Sequence, residues 1–270
     1  MHTNSQFIWG TKTYVMGVIN VTPDSFSGDG VKESEALKKA ISFVDEGVDI
    51  IDVGGVSTRP SSLYGQVDEV AEEEEISRII PVISSLRKEL RVPMSVDTYR
   101  SEVASLAISE GAIMINDIWG LKFDPHMSEV VARNNAFVVL MHNTEPPDYK
   151  DVVDDTVREL ELMAKRAIKE GIQEEKIIID PGIGFGKNWQ ENLEILRRLE
   201  EYKTIGLPLM VGTSRKSTIG KILDLPVDDR IEGTAATVSI AIAKGADIVR
   251  VHDVKEMVRV SRMTDAIVRG

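Results

Sequence analysis

The chain has 270 residues, 42% hydrophobic and 28% charged, with a formal charge of -12; it holds apolar material enough for a sizeable core and carries the wrong sign for gripping nucleic acid. It has no cysteine and only four scattered histidines, which excludes disulfides, thiolate chemistry and Cys-ligated zinc and leaves a hard cation as the metal it suits. No run of about 18 apolar residues is present to span a bilayer, and "MHTNSQFIWG" lacks the basic-then-apolar layout of a signal peptide, so the expectation is a cytoplasmic protein without a membrane partner.

Residues 1–13, with "FIWGTKT", read as a small hairpin capping one end of the domain. "YVMGVI" from Tyr14 is the first convincing strand; it leaves through "NVTPDSFSGDG", a polar loop of small residues that packs poorly and suits closing over something. A helical pattern "ESEALKKAISFVDEG" and the strand "DIIDV" come next. The acidic run Glu72–Glu75 then reads as a solvated first turn, suited to the helix dipole, of a helix through "ISRIIPVISSL". "PMSVD" and "AIMIND" are strands, and "FDPHMSEVVARN" is a helix with Asp124 near its N-cap and Pro125 at its first position. "FVVLMH", "KIIIDP", "PLMVG" and "DIVRVH" complete the strands, with helices "TVRELELMAKRAIKEG" and "IEGTAATVSIAIAKG" between them; Gly47, Gly171 and Gly245 stand where helix C-caps are expected. Eight buried strands alternating with helices, and no linker-like stretch, predict one domain over 1–270: a parallel (β/α)8 TIM barrel, with a doubly wound open sheet as the alternative.

In such a barrel the chemistry sits where the strands end. Those ends carry Asn20, Asp52, Asp97, Asn116 with Asp117, His142, Asp180, the run Ser214-Arg215-Lys216-Ser217, and Arg250 with His252. Asp97, Asn116 and Asp180 offer acceptors and an amide suited to a flat heterocycle bearing an amino group and a ring N–H. Arg59, Arg215, Lys216, Arg250 and His252, with the hydroxyls of Thr58, Ser61 and Ser217, suit a phosphate or diphosphate. Asp52 and Asp117 read equally as caps or supports and as direct ligand contacts, and His142 as a packed strand-end histidine. "PGIGFGK" lacks the G-x-G-x-x-G spacing and reads as a turn passing close to a ligand or helix; "VGTSRKS" lacks the paired glycine of a P-loop.

"GVINVTPDSFSGDG", "DVGGVSTRPSS", "SVDTYR", "INDIWG", "IIDPGIGFGK", "VGTSRKS" and "VRVHD", in that order from about residue 14 to 253, together resemble the dihydropteroate synthases, the pterin-binding transferases of folate biosynthesis that sulfonamides target. The resemblance implies the same barrel and the condensation of 6-hydroxymethyl-7,8-dihydropterin diphosphate with 4-aminobenzoate, by an SN1-like, Mg2+-assisted displacement of pyrophosphate. It implies a pterin site of Asp97, Asn116, Asp180, Lys216 and Arg250, and a diphosphate site of Asn20, Thr58, Arg59, Arg250 and His252. Asn20 would be the Mg2+ ligand, and Pro60, Phe185, Lys216 and Ser217 would surround the aminobenzoate. It further implies a homodimer through the late helices. The chain departs from the family pattern at Val56, where a glutamate is usual, at Ser61, where a glycine is usual, and in "MHNTEPP" after the fifth strand. Competing readings are a methyltransferase of the same superfamily, which has no use for a diphosphate site, and a non-catalytic pterin-binding module.

Overall fold

The computed structural model describes residues 7–21, 29–56, 70–144 and 147–270. Each apolar run becomes a strand: β1 (Tyr14–Asn20), β2 (Ile50–Gly54), β3 (Met94–Asp97), β4 (Met114–Asp117), β5 (Phe137–Met141), β6 (Ile177–Asp180), β7 (Met210–Val211) and β8 (Ile248–Val251). Between and after them run α1 (Asp29–Glu46), α2 (Glu72–Glu89), α3 (Ser101–Ser109), α4 (Met127–Arg133), α5 (Val152–Lys169), α6 (Trp189–Arg197), α7 (Ser217–Leu223), α8 (Ile231–Ala243) and α9 (Val254–Val268). All strand pairings are parallel, in the order β6-β5-β4-β3-β2-β1-β8-β7, and a single bridge between Ile179 and Leu209 closes β6 on β7. The result is the expected (β/α)8 barrel.

Strands buried on both faces must be apolar throughout, which is why they read as continuous hydrophobic runs rather than alternating ones. Met16, Ile50, Met114, Phe137, Val139, Ile178, Met210 and Ile248 form one buried cluster that fills the lower interior. Their sequence neighbours Val15, Ile51, Ile115, Val138 and Val249 pack outward into the helical layer. Side chains alternate along a strand, so positions two beyond the plug share its face. Those positions are Asp52 after Ile50, Asn116 after Met114, Asp180 after Ile178 and Arg250 after Ile248: period two carries all four polar groups into the same mouth.

Residues 7–13, the described part of the expected hairpin, form a turn, and residues 1–6 lie outside the described residues. Phe7 stacks on Trp9 at 5.0 Å between centroids and meets Tyr14 and Phe137 edge-on at 5.1 and 5.2 Å, so this segment caps the floor with aromatic packing, as expected. Glu75 is not solvated: it is buried, its carboxyl held above the usual range by burial, and it pairs with Arg100, whose guanidinium also reaches the Val70 carbonyl at 2.7 Å. The pair ties the start of α2 to the exit of β3. Helix α4 begins at Met127; Asp124, ahead of it, accepts the N–H groups of His126 at 2.9 Å and Ser101 at 2.8 Å and so steadies two helix starts at once. Gly47, Gly171 and Gly245 occupy the left-handed caps expected of them, with φ of 94°, 100° and 100°.

Candidate active site

The centre of the mouth is a cluster of one guanidinium and two carboxylates. From β8, Arg250 donates Nε–H to Asp52 Oδ2 at 2.7 Å and Nη2–H to Asp97 Oδ2 at 2.6 Å. Asp52 is fully buried and holds Arg250 through Oδ2. Two carboxylates face one cation, and burial pushes the Asp97 carboxyl up to about 7 although Arg250 opposes the rise. A Cβ added at Gly54 would lie 3.5 Å from Asp97 Cβ and 3.8 Å from Asn20 Oδ1, so Asn20 borders Asp97 across a residue with no side chain.

Four oxygens here are buried without a hydrogen-bond partner among the described residues: Asp52 Oδ1, Asp97 Oδ1, Asn116 Oδ1 and Ser95 Oγ. A buried acceptor left unpaired costs about 1–3 kcal/mol, so a wall that keeps the three carboxylate and amide oxygens of Asp52, Asp97 and Asn116 is built for a ligand or water that brings N–H or O–H donors.

Opposite them, Asp180 is buried, accepts the Gly182 N–H at 2.7 Å through Oδ1, and has its carboxyl raised by burial, with Lys216 and Gly182 opposing. Lys216 precedes α7, donates to the Ile183 carbonyl, and holds Nζ 4.6 Å from the Phe185 ring centroid. Burial lowers its pKa to about 8, with Asp180 opposing. Ser217 is the first residue of α7, beside Lys216.

Two of the expected cations change character. His252 Nδ1 lies 3.0 Å from the Ser214 hydroxyl, whose oxygen also receives the His252 backbone N–H at 3.1 Å. Burial, and then Arg250, push it down to about 3, so the ring is neutral. Arg215 is held by acidic partners: its Nε donates to Asp253 Oδ2 at 3.0 Å, and it also pairs with Asp228. Asp117 is a support that accepts the Trp119 and Leu121 N–H groups at 2.8 Å each, and burial pushes it up to about 6. His142 is fully buried, as read from its strand-end position. Thr58, Arg59, Pro60 and Ser61, and most of the loop after Asn20, lie outside the described residues.

The "PGIGFGK" turn makes the close approach its glycines suggested. Gly182, Gly184 and Gly186 have φ of 70°, 85° and 55°. A Cβ at Gly182 would run into the His142 carbonyl, one at Gly186 into the Thr144 carbonyl, and one at Gly184 would stand 2.9 Å from Lys216 Cδ. The sequence reading assigned nothing to Lys187 at its end, which is buried among carbonyls. A basic residue directly after three alternating glycines was the available signal.

A family model described as pterin binding enzyme matches residues 16–252. The dihydropteroate synthase of Bacillus subtilis is 48% identical over 270 residues, covering 99% of this chain and 93% of its own. Among solved structures, the dihydropteroate synthase of Clostridium difficile, determined in the presence of pteroic acid, superposes with a TM-score of 0.93 at 46% identity, covering 98% of this chain and all, 100%, of that one. The Xanthomonas albilineans dihydropteroate synthase with 4-aminobenzoic acid gives a TM-score of 0.89 at 38% identity, covering 95% of this chain and 93% of that one. With a matched model spanning the barrel and a relative this similar end to end, the chain belongs to the pterin-binding enzyme family, among its dihydropteroate synthases.

Proposed function

We propose that this transferase condenses 6-hydroxymethyl-7,8-dihydropterin diphosphate with 4-aminobenzoate, giving 7,8-dihydropteroate and pyrophosphate. The observation that carries the reading is the wall of unpaired acceptors on Asp97 and Asn116, facing Asp180 and the cations Lys216 and Arg250. An aminated dihydropterin supplies the missing donors: its amino group and adjacent ring N–H suit Asp180, other ring positions suit Asp97 and Asn116, and Lys216 suits the ring oxygen and nitrogen. The Arg250 plane, clamped by Asp52 and Asp97, offers a stacking face to the ring and a charge to the diphosphate. A methyltransferase would leave the Arg250–His252 side of the mouth without a task.

The C–O bond to the diphosphate breaks first, and its electron pair leaves with the diphosphate. The exocyclic carbon is left as a cation that the electron-rich ring delocalises. The arylamine lone pair then forms the C–N bond and the nitrogen sheds a proton. No protein nucleophile is required. Arg250 and a ring N–H of His252, with Thr58 and Arg59 from the second loop, take up charge on the departing group. Phe185, the Lys216 stem, Ser217 and Pro60 border the aminobenzoate, whose carboxylate has the Ser217 end of α7 to meet; a sulfonamide, presenting an arylamine of the same shape, competes there. The Asn20–Gly30 and Val56–Ser62 loops would close over the diphosphate and exclude water.

The donor set fits Mg2+. Asn20 brings one hard amide oxygen to the rim, and no group of three or more metal-ligating side chains exists among the described residues. A cation held there would take its remaining ligands from diphosphate oxygens and water, the arrangement Mg2+ prefers. When bound, the metal supplies charge neutralisation of the leaving diphosphate. No described helix is long and apolar enough to cross a membrane, and the cytoplasm is the compartment we propose.

The test is pyrophosphate release from the pterin diphosphate with and without 4-aminobenzoate, product being followed by chromatography. Release is expected to depend on the amine and to match 7,8-dihydropteroate formed; tight pterin binding with no turnover would sink the reading. Chelation with EDTA is expected to abolish turnover, restored by added Mg2+, while a pterin lacking the diphosphate still binds. Full turnover after chelation would remove the metal proposal.

We also propose a homodimer. Ile222, Leu223, Val227 and Ile240, on α7, α8 and the turn between them, are 50%, 45%, 41% and 49% exposed, a concentration of large apolar side chains suited to a second copy. Light scattering is expected to return about twice the 29.9 kDa chain mass, and a monomer at micromolar concentration would refute it.

A further inference from the structure

Lys187 is buried with no carboxylate within ion-pairing distance among the described residues. Its Nζ instead faces four acceptors: the Phe185 carbonyl at 2.9 Å, His142 Nδ1 at 3.1 Å, the Gly182 carbonyl at 3.2 Å and the His142 carbonyl at 3.3 Å. Two belong to the exit of β5 and two to the turn after β6. Three ammonium protons are thus shared across the seam between the two loops, where Gly182 and Gly186 already bring the backbones to closest approach. His142 completes the arrangement. Burial, with Lys187 and Lys122, pushes it down to about 3, so the ring is neutral and Nδ1 accepts from the Lys187 ammonium; Nε2 lies 3.1 Å from Glu159 Oε2 on α5 without hydrogen-bonding geometry. Lys122 holds the next carbonyl of the β5 exit, Asn143, at 2.7 Å.

We infer that Lys187 is a positioning residue which pins the turn after β6 so that the Ile183 carbonyl receives Lys216 and the Phe185 ring lies beneath it. The inference deepens the aminobenzoate reading above and rests on it. The residue touches no substrate; it acts through the turn that carries Phe185 and restrains Lys216. The charged and titratable groups facing it are Asp180 on β6, Lys216 before α7, Glu191 on α6, Glu159 on α5, His142, and Tyr149, whose ring centroid is 5.9 Å from Nζ. Burial is the largest influence and lowers its pKa to about 7, Asp180 opposing and Lys216 adding to the fall. Loss of the proton leaves two donors for four acceptors, so the pin loosens as pH rises through neutrality.

Lys187→Met keeps the stem and removes the donors. Its KM for 4-aminobenzoate is expected to rise about tenfold, the worth of about one charge-assisted hydrogen bond, with kcat lowered less than about threefold. A folded K187M enzyme with KM within about twofold of the parent overturns the proposal. Phe185→Ala, measured in parallel, tests the subsite separately: if F185A leaves KM unchanged, the aminobenzoate reading fails, whereas a raised KM in F185A beside an unchanged one in K187M removes Lys187 alone. Should K187M not fold, hydrogen exchange on the unaltered enzyme decides. After correction for intrinsic rates, protection of the 181–187 peptide is expected to fall between about pH 6 and about pH 8.5 while that of β5 does not. Flat protection across that range overturns the proposal.

Discussion

Asp180→Asn weakens binding of a 6-hydroxymethyl pterin by about 100-fold or more, a loss of roughly 3 kcal/mol. The carboxylate has one oxygen committed to the Gly182 N–H at 2.7 Å. A carboxamide must keep its oxygen there, since its NH2 group would otherwise oppose that N–H, and it then presents two donors to a ring edge that is itself all donors. The misfit therefore adds a buried donor–donor contact to the lost charge-assisted bonds. A second effect acts through Lys216, whose pKa, near 8, is held up by Asp180. Without that carboxylate it falls further, so the loss of activity in D180N is expected to be steeper at about pH 8 than at about pH 6.5. Calorimetry with the pterin and pH–rate profiles measure the two parts; unchanged pterin affinity would remove Asp180 from the ring site.

Asp97→Asn is expected to move stability and binding in opposite directions. Asp52 and Asp97 share one guanidinium, so the cluster carries an excess negative charge in a buried place. The folded-state pKa of Asp97, about 7, lies above the ordinary 3.8, which means that ionisation opposes folding. That penalty is absent below about pH 4, grows as pH rises between the two values, and is fully present above about pH 7. Asparagine removes it and leaves Arg250 paired with Asp52. The D97N protein should therefore be more stable by on the order of 2 kcal/mol at pH 8, with the advantage shrinking as pH falls toward 4. Pterin binding should weaken, because Oδ1, the unpartnered acceptor, loses its charge. Thermal denaturation across pH, set beside calorimetry, reads both signs; a lower Tm for D97N at pH 8 would mean that the Arg250 bond outweighs the excess charge.

The barrel was legible in the sequence because both faces of a parallel barrel strand are buried, one by the interior plug and one by helices. Tyr14, Ile50, Met94, Met114, Phe137, Ile177, Met210 and Ile248 begin strands where apolar runs were read. The glycine caps after α1, α5 and α8 were legible too, since only glycine adopts their positive φ without strain. The list of strand-end polar residues came from the same periodicity, and the family resemblance attached chemistry to it. Partners and protonation were not legible. Arg250 meets Asp52 and Asp97 across 198 and 153 residues of chain. Nothing local shows that Arg250 pairs with Asp52 and Asp97 while Arg215 pairs with Asp253. His252 reads as a cation in sequence and is neutral once buried beside Arg250, and Lys187 reads as the end of a glycine turn until four acceptors from two loops close on it. Periodicity is a property of neighbours along the chain, and the sequence by itself carries it; charge state and pairing depend on which distant groups displace water, and only the closed barrel decides that.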